Sequence, residues 1–372
     1  MADVELKVQE VVTGRDGPSV LTGLRWLFYL VTPEETSFRT LDEVPRYIGQ
    51  VTPIFFGMVF LEMLVAFLKN RQTNTRLNDS ISSISAGMIM TMGDLFYMGA
   101  YMMAYVWVYE NYRLVDLPWD SPVTWWTAFI LAEFSFYWLH RMSHGRNPYC
   151  IDKNYGGVLI VFDRLFGTFA KEEEKVVYGL THPLNTWDPI WVQLCHYVHI
   201  WKTFWATPGW TNKLSVLWKG PGWALGKPRL GCIEDIPKVK YHEPKYDSKV
   251  SWLWSTYVAV HFVLALVLHQ ELFSVVKTLT TAAMVGRVLF VMWTLVCVAA
   301  IMDRKPSAPI VDFTRCLAFV LVDVTARLSG SPVVLLPSPL LNALSAWYLM
   351  SAVIWGIKFL KSVFTTKTLK SG

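Results

Sequence analysis

The order of apolar and polar positions along the chain sets its outline. A hydrocarbon core is crossed by about 20 apolar residues of helix. Six stretches have that character: 48–68, 84–109, 122–140, 252–270, 284–302 and 340–360. A seventh, 311–328, is interrupted by Asp323 and Arg327. Trp and Tyr gather at many of their ends, at Trp107, Tyr109, Trp125, Trp126, Tyr137, Trp138, Trp252, Trp254 and Tyr257. That is the distribution expected of aromatic side chains at the two faces of a bilayer. A buried soluble core can be as aromatic, but it does not supply so many runs of this length. The fold class that follows is all-α, a polytopic integral membrane helical bundle.

The loops give it a direction. Lys69, Arg71 and Arg76 follow the first stretch, and Arg141, Arg146 and Lys153 follow the third. "DRKP" follows the fifth, and Lys358, Lys361, Lys367 and Lys370 lie in the tail. Positive loops stay cytosolic. Seven spans place all four groups on that side and put the N-terminus opposite; six would leave the tail on the wrong side. The long section 141–250, punctuated by "NYGG", "TPGW", "KGPGW" and "GKPRLG", is then a cytosolic cap. Within it, 188–205 reads as a short helix lying in the interface plane, with Trp187, Trp191, Trp201, Trp205 and Trp210 near the membrane surface. The chain divides into an N-terminal segment (1–47), three spans (48–140), the cap (141–250) and the C-terminal spans (251–372).

Composition agrees. The chain is 53% hydrophobic and 17% charged, with a mean hydropathy of +0.32, too apolar for an ordinary soluble domain. A net charge of +5 is small and scattered, with no basic run, so nucleic acid is not a partner. The first 17 residues lack an apolar core for a cleavable signal, so targeting is expected from an internal span. Five widely spaced cysteines, Cys150, Cys195, Cys232, Cys297 and Cys316, form no CxxC and are expected as free thiols.

Candidate chemistry gathers at the end of the third stretch, in "EFSFYWLHRMSHGRNPYCIDKNYGG". His140 and His144 are four apart, so on a helix both imidazoles reach one face and can share a metal. Iron, copper and zinc all accept imidazole. A metalloprotease would carry Glu inside the pair; Arg141, Met142 and Ser143 stand there instead. The other reading is of two unrelated histidines at the interface. Glu133, seven residues before His140, is an acid in an apolar span, where charge is costly and functional by default. It could hydrogen-bond a ligand imidazole, or cap a contact between helices. Glu62 and Asp94, in other spans, read as packing partners. His182, His196 and His199 lie in the cap as possible additional ligands; a loop histidine bonded to backbone, and two imidazoles facing the interface, are the plainer readings. "KEEEK" (171–175) reads as a solvated turn. "GPGWALGKPRLG" lacks the Lys-Ser/Thr of a phosphate loop and reads as cap loops.

"EFSFYWLHRMSH" resembles the first histidine box of the fatty acid hydroxylase and sterol desaturase superfamily of membrane di-iron enzymes. "NYGG", "DRLFGTF" and "VVYGLTHP" are similar to its alkylglycerol monooxygenase family, as are "LFYLVTPEETSFRTLDEVP", "VYENYRLVDLPWDSPVTWW" and "FWATPGW" with "KGPGWALGKPRLG". The resemblance covers nearly the whole chain. It implies His140 and His144 as iron ligands and tetrahydrobiopterin as the reductant. It implies an ether lipid substrate, cleaved at its O-alkyl bond to a fatty aldehyde and glycerol, and a multi-pass place in the endoplasmic reticulum membrane. Iron would supply the oxidant, since no side chain abstracts the hydrogen concerned. The sequence departs from the family at one point. There the first HxxxH is followed by several dozen residues holding an HxxHH box and a final HHxxHH box; here His144 abuts Gly145-Arg146-Asn147. Two matched histidines do not hold two irons. A catalytically inactive isoform or an incompletely read gene, acting at most as a membrane partner of the full-length enzyme, is therefore the alternative. A fatty acyl or sterol hydroxylase is a lesser one.

Overall fold

A computed structural model of the chain describes residues 20–28, 30–40, 43–44, 47–69, 76–141, 154–157, 160–171, 184–220, 222–229, 231–235, 246–330 and 337–368. Among them there are eleven α-helices, three short 3-10 turns and no strand. In chain order the helices are α1 (Val20–Leu27), α2 (Tyr47–Leu68), α3 (Leu77–Tyr112), α4 (Pro122–Arg141), α5 (Val161–Leu165), α6 (Pro189–Ala206) and α7 (Trp210–Trp218), then α8 (Trp252–Val275), α9 (Thr281–Met302), α10 (Ala308–Leu328) and α11 (Ser338–Thr368).

Each of the seven apolar stretches is a helix, α2, α3, α4 and α8 to α11. The stretch 84–109 lies inside a longer helix of 36 residues, because the polar turns preceding it, "LNDSISSIS", continue the helical face. Three helices are long and apolar enough to cross a membrane among the described residues: Trp252–Thr278, Thr281–Met302 and Ser338–Ser362. α10 carries Asp312, Arg315, Asp323 and Arg327 in 21 residues, which lowers its hydropathy without making it a surface helix. Asp312, Arg315 and Asp323 turn inward, and exposed Arg327 pairs with Asp323.

The core is the C-terminal bundle. Val288, Val291, Leu295 and Val298 recur at spacings of three and four on α9 and are all buried, which is the inward stripe of a helix. Val258, Phe262 and Ala265 of α8 face it, and the first half of α3 adds Ile81, Met88 and Met92. On the other side α10 and α11 meet through Cys316, Phe319, Leu344, Tyr348 and Ala352. The Phe319 and Tyr348 rings stack at 3.9 Å. By contrast, the second half of α3, from Phe96 to Tyr112, is exposed throughout, and α4 buries only Tyr137 among residues 122–140.

The cap helix expected over 188–205 is α6. Asp188 caps it by accepting from the amides of Ile190 and Trp191, and Pro189 opens its first turn. The segment before α6 is pinned to the turn between α9 and α10. Asp303 accepts from Thr186 Oγ1 at 2.6 Å and from the Trp187 amide at 2.9 Å. Tyr246 also donates to Asp303, at 3.2 Å, and Lys305 reaches Asp188 at 3.1 Å. Burial and the negative charge of Asp303 push the Tyr246 phenol above its ordinary pKa. The four described cysteines, Cys195, Cys232, Cys297 and Cys316, are free thiols; Cys150 lies outside the described residues.

Candidate functional site

His140 stands in the last turn of α4, and the chain returns to it fifteen residues later. Its Nδ1 is 2.7 Å from the main-chain oxygen of Tyr155. A carbonyl only accepts, so Nδ1 carries the proton and, in the neutral ring, Nε2 carries the lone pair. Metal-bound imidazoles are held in this way, with the second nitrogen tied to a carbonyl or carboxylate.

The loop that brings Tyr155 there is built around Asp163 of α5. This carboxylate is buried and accepts from the Tyr155 amide at 2.7 Å, the Gly156 amide at 2.6 Å and Thr168 Oγ1 at 2.8 Å. Since the Thr168 hydroxyl gives its proton to Asp163, Tyr137 donates to Thr168 Oγ1 at 2.7 Å, which ties the loop to α4. Asn154 has a positive φ of 57°, a conformation Asn tolerates better than most residues. Its side chain both donates to the Ala170 carbonyl and accepts from the Ala170 amide, at 2.9 Å each. Tyr137, Tyr155, Phe162 and Phe166 then close an aromatic cluster against α4. Gly157 passes so near α4 that a Cβ there would lie 3.1 Å from the Phe136 ring and 3.4 Å from Glu133 Oε2. Glu133 thus sits beside the returning loop, while the acceptor for His140 Nδ1 is the Tyr155 carbonyl.

His144 and His182 lie outside the described residues. His196 and His199 are exposed on α6 and line a cleft with α7 and the loop after it. Among the described residues no three His, Cys, Asp or Glu side chains are placed to hold a metal. His140 has the tautomer of a metal ligand, but one imidazole is not an iron donor set, and His196 and His199 do not join it. The described residues do not by themselves fit an iron centre.

A second polar group was missed in the sequence. In the C-terminal bundle, Arg315 of α10 is fully buried and donates twice to Asp312 Oδ1, from Nη2 at 2.6 Å and Nε at 2.9 Å. Tyr257 donates to the other Asp312 oxygen at 2.5 Å. Arg315 Nη2 also lies 3.1 Å from His261 Nδ1, and the Trp347 indole lies 3.1 Å from His261 Nε2. The signal was present: Asp and Arg three apart in an otherwise apolar stretch share a helix face and can pair.

These features define a helical membrane protein with a ligand-type histidine at the end of an apolar helix. Comparison with known proteins narrows the class. Residues 254–336 match the alkylglycerol monooxygenase C-terminal domain. The human alkylglycerol monooxygenase is 36% identical over 434 aligned positions, covering 93% of this chain and 96% of the relative. That of Xenopus tropicalis is 36% identical over 83% of the chain and 89% of the relative. That of Danio rerio is 32% identical over 92% and 96%. The chain belongs to the alkylglycerol monooxygenase family. No solved structure matches it.

Proposed function

We propose that this chain derives its function from ether-lipid oxidation. In this reading it is a monooxygenase that inserts oxygen at the ether-bearing carbon of an alkylglycerol, and the resulting hemiacetal collapses to a fatty aldehyde and glycerol. Its cofactors are iron and tetrahydrobiopterin, its co-substrate is dioxygen, and its place is the endoplasmic reticulum membrane. The observation that carries the reading is identity to proteins named for that activity over nearly the whole chain. The apolar helices support it physically, since an alkyl chain partitions into the bilayer while its ether lies near the headgroups. For its own part the chain contributes a proton-fixed imidazole: Nδ1 of His140 is held on the Tyr155 carbonyl, so Nε2 is the donor atom.

A second reading has its own observation. The alignment with the human relative runs over 434 positions while this chain has 372 residues, so dozens of those positions fall opposite gaps in the chain. His144 runs directly into Gly145-Arg146-Asn147, where the resemblance calls for further histidine boxes. On this reading the chain is an inactive form, at most a membrane partner of a complete enzyme. One experiment separates the two. The full chain is purified in detergent, its iron content measured, and aldehyde release from an alkylglycerol assayed with tetrahydrobiopterin. Near-stoichiometric iron with pterin-dependent aldehyde supports the enzyme. Little iron and no aldehyde supports the inactive form.

A further inference from the structure

The loop "KGPGWALGKPRLG" and the paired histidines of α6 have no part in the reading above, and the fold brings them together. His196, His199 and Thr203 lie along one side of α6, one turn apart. Lys219, Gly220 and Trp223 face them from the loop after α7, across a cleft of about 180 Å³. The loop is held shut by its own backbone. The Gly220 amide donates to the Arg229 carbonyl at 3.0 Å, and Gly231, at a φ of 80°, crosses Gly222 with no room for a Cβ. Lys219 Nζ rests 4.5 Å from the centre of the Trp223 ring, so the ammonium lies among the residues that line the cleft.

The chemistry of this cleft is one-signed. It offers two imidazoles, a hydroxyl and an ammonium, and no Asp or Glu lines it. The nearby Asp235 is held by Lys227 at 2.7 Å. The ammonium, the hydroxyl and the imidazole N–H groups suit a phosphate oxygen, and the ammonium of Lys219 beside the two imidazoles disfavours a cation there. The volume is small beside the roughly 300–1,000 Å³ of pockets that enclose whole ligands. It admits a headgroup and leaves a hydrocarbon chain outside.

The surroundings say where that chain would go. Tyr197, Trp201, Trp205, Trp210 and Trp218 are all more than half exposed around the cleft, the composition of a surface resting in the headgroup layer. α6 starts at Asp188, which Lys305 holds beside the turn that ends α9 at Met302. α9 is one of the helices apolar and long enough to cross a membrane. The cleft therefore lies within the 18 residues, about 27 Å, of a helix that starts at the end of a span.

We propose that the cleft between α6 and Lys219, Gly220 and Trp223 binds the phosphate of a membrane phospholipid headgroup. The proposal does not rest on the monooxygenase reading, and its test uses no turnover. The full chain in detergent is titrated, by native mass spectrometry, with dioctanoyl phosphatidic acid, with dioctanoylglycerol and with inorganic phosphate. The phosphatidic acid is expected to bind at least tenfold more tightly than either of the others. Lys219→Gln should weaken it about tenfold, Lys219→Arg should retain it, and Lys202→Gln, on the exposed side of α6, should leave it unchanged. Thermal melting of each variant reports folding independently. Equal binding of phosphatidic acid and dioctanoylglycerol, or a folded Lys219→Gln that binds like the parent, overturns the proposal. Inorganic phosphate binding as tightly as the lipid overturns the assignment to a headgroup.

Discussion

His140 and Tyr155 meet across fifteen residues, imidazole Nδ1 to main-chain oxygen, at 2.7 Å. The partner is a backbone atom, so no side chain needs to be selected for it. What the sequence must supply is a loop that holds this carbonyl still. Asp163 does so by accepting from the two amides on either side of the peptide units concerned, those of Tyr155 and Gly156, and from Thr168.

Replacing Asp163 by Ala should therefore release the loop. Two backbone donors and a hydroxyl lose a charged acceptor, at roughly 1–3 kcal/mol for each group left buried and unsatisfied. Hydrogen exchange at the Tyr155 and Gly156 amides should rise by orders of magnitude while α8 to α11 keep their protection. Unchanged exchange at those two amides would count against the carboxylate as the organising group.

The buried pair of α10 is expected to show the asymmetry of desolvated charges. Arg315→Met leaves Asp312 buried without its counter-charge, held by Tyr257, and should cost about 3–5 kcal/mol. The double variant Asp312→Leu with Arg315→Met removes both charges and should recover most of that loss. Melting of the parent, single and double variants in one detergent measures it. A double variant as unstable as the single one would show that the pair is not the source of the cost.

Asp303 joins the cap to the membrane-type helices. Thr186, Trp187 and Tyr246 all donate to it. Asp303→Ala should free the start of α6, with faster exchange at the Trp187 amide and no change in the interior of α9. A loss confined instead to α9 would mean that the clamp stabilises the span and not the cap.

Gly231 has a φ of 80°, and an added Cβ would come within 2.5 Å of the Gly222 carbonyl oxygen. Backbone cannot yield as a side-chain end can, so Gly231→Ala should open the loop that closes the α6 cleft. The expected result is increased proteolysis between residues 219 and 231 with the C-terminal bundle intact. Resistance equal to the parent chain would exclude the backbone crossing as the closure.

The topology makes one further prediction. The expectation of seven spans with the basic groups kept inside puts the tail after Lys358 in the cytosol. A glycosylation acceptor appended to the C-terminus should remain unmodified in microsomes; a glycan there would reverse the orientation.

The helices were largely legible because their signal is local. A run of about 20 apolar residues has few alternatives to a helix in a bilayer, and each of the seven runs is one. Asp188-Pro189, a capping side chain followed by a helix-opening proline, marks the start of α6 in the same local way. Histidine spacing was legible too, but only as a possibility, since four residues of separation state that two rings share a helix face and not what they face.

Tertiary structure decided the rest, because those relationships join residues far apart in the chain through directional contacts. That Asp312 and Arg315 point into the bundle at His261 and Tyr257 depends on which face α10 turns to α8. That His196 and His199 look onto Lys219 and away from any metal cluster among the described residues depends on the α6–α7 turn and on a glycine crossing. The sequence by itself determined that the chain is a set of helices for a membrane, with an imidazole, that of His140, at the end of one of them. Only folding decided which nitrogen of His140 carries its proton, because the atom that fixes it is a backbone oxygen, and every residue type has the same one.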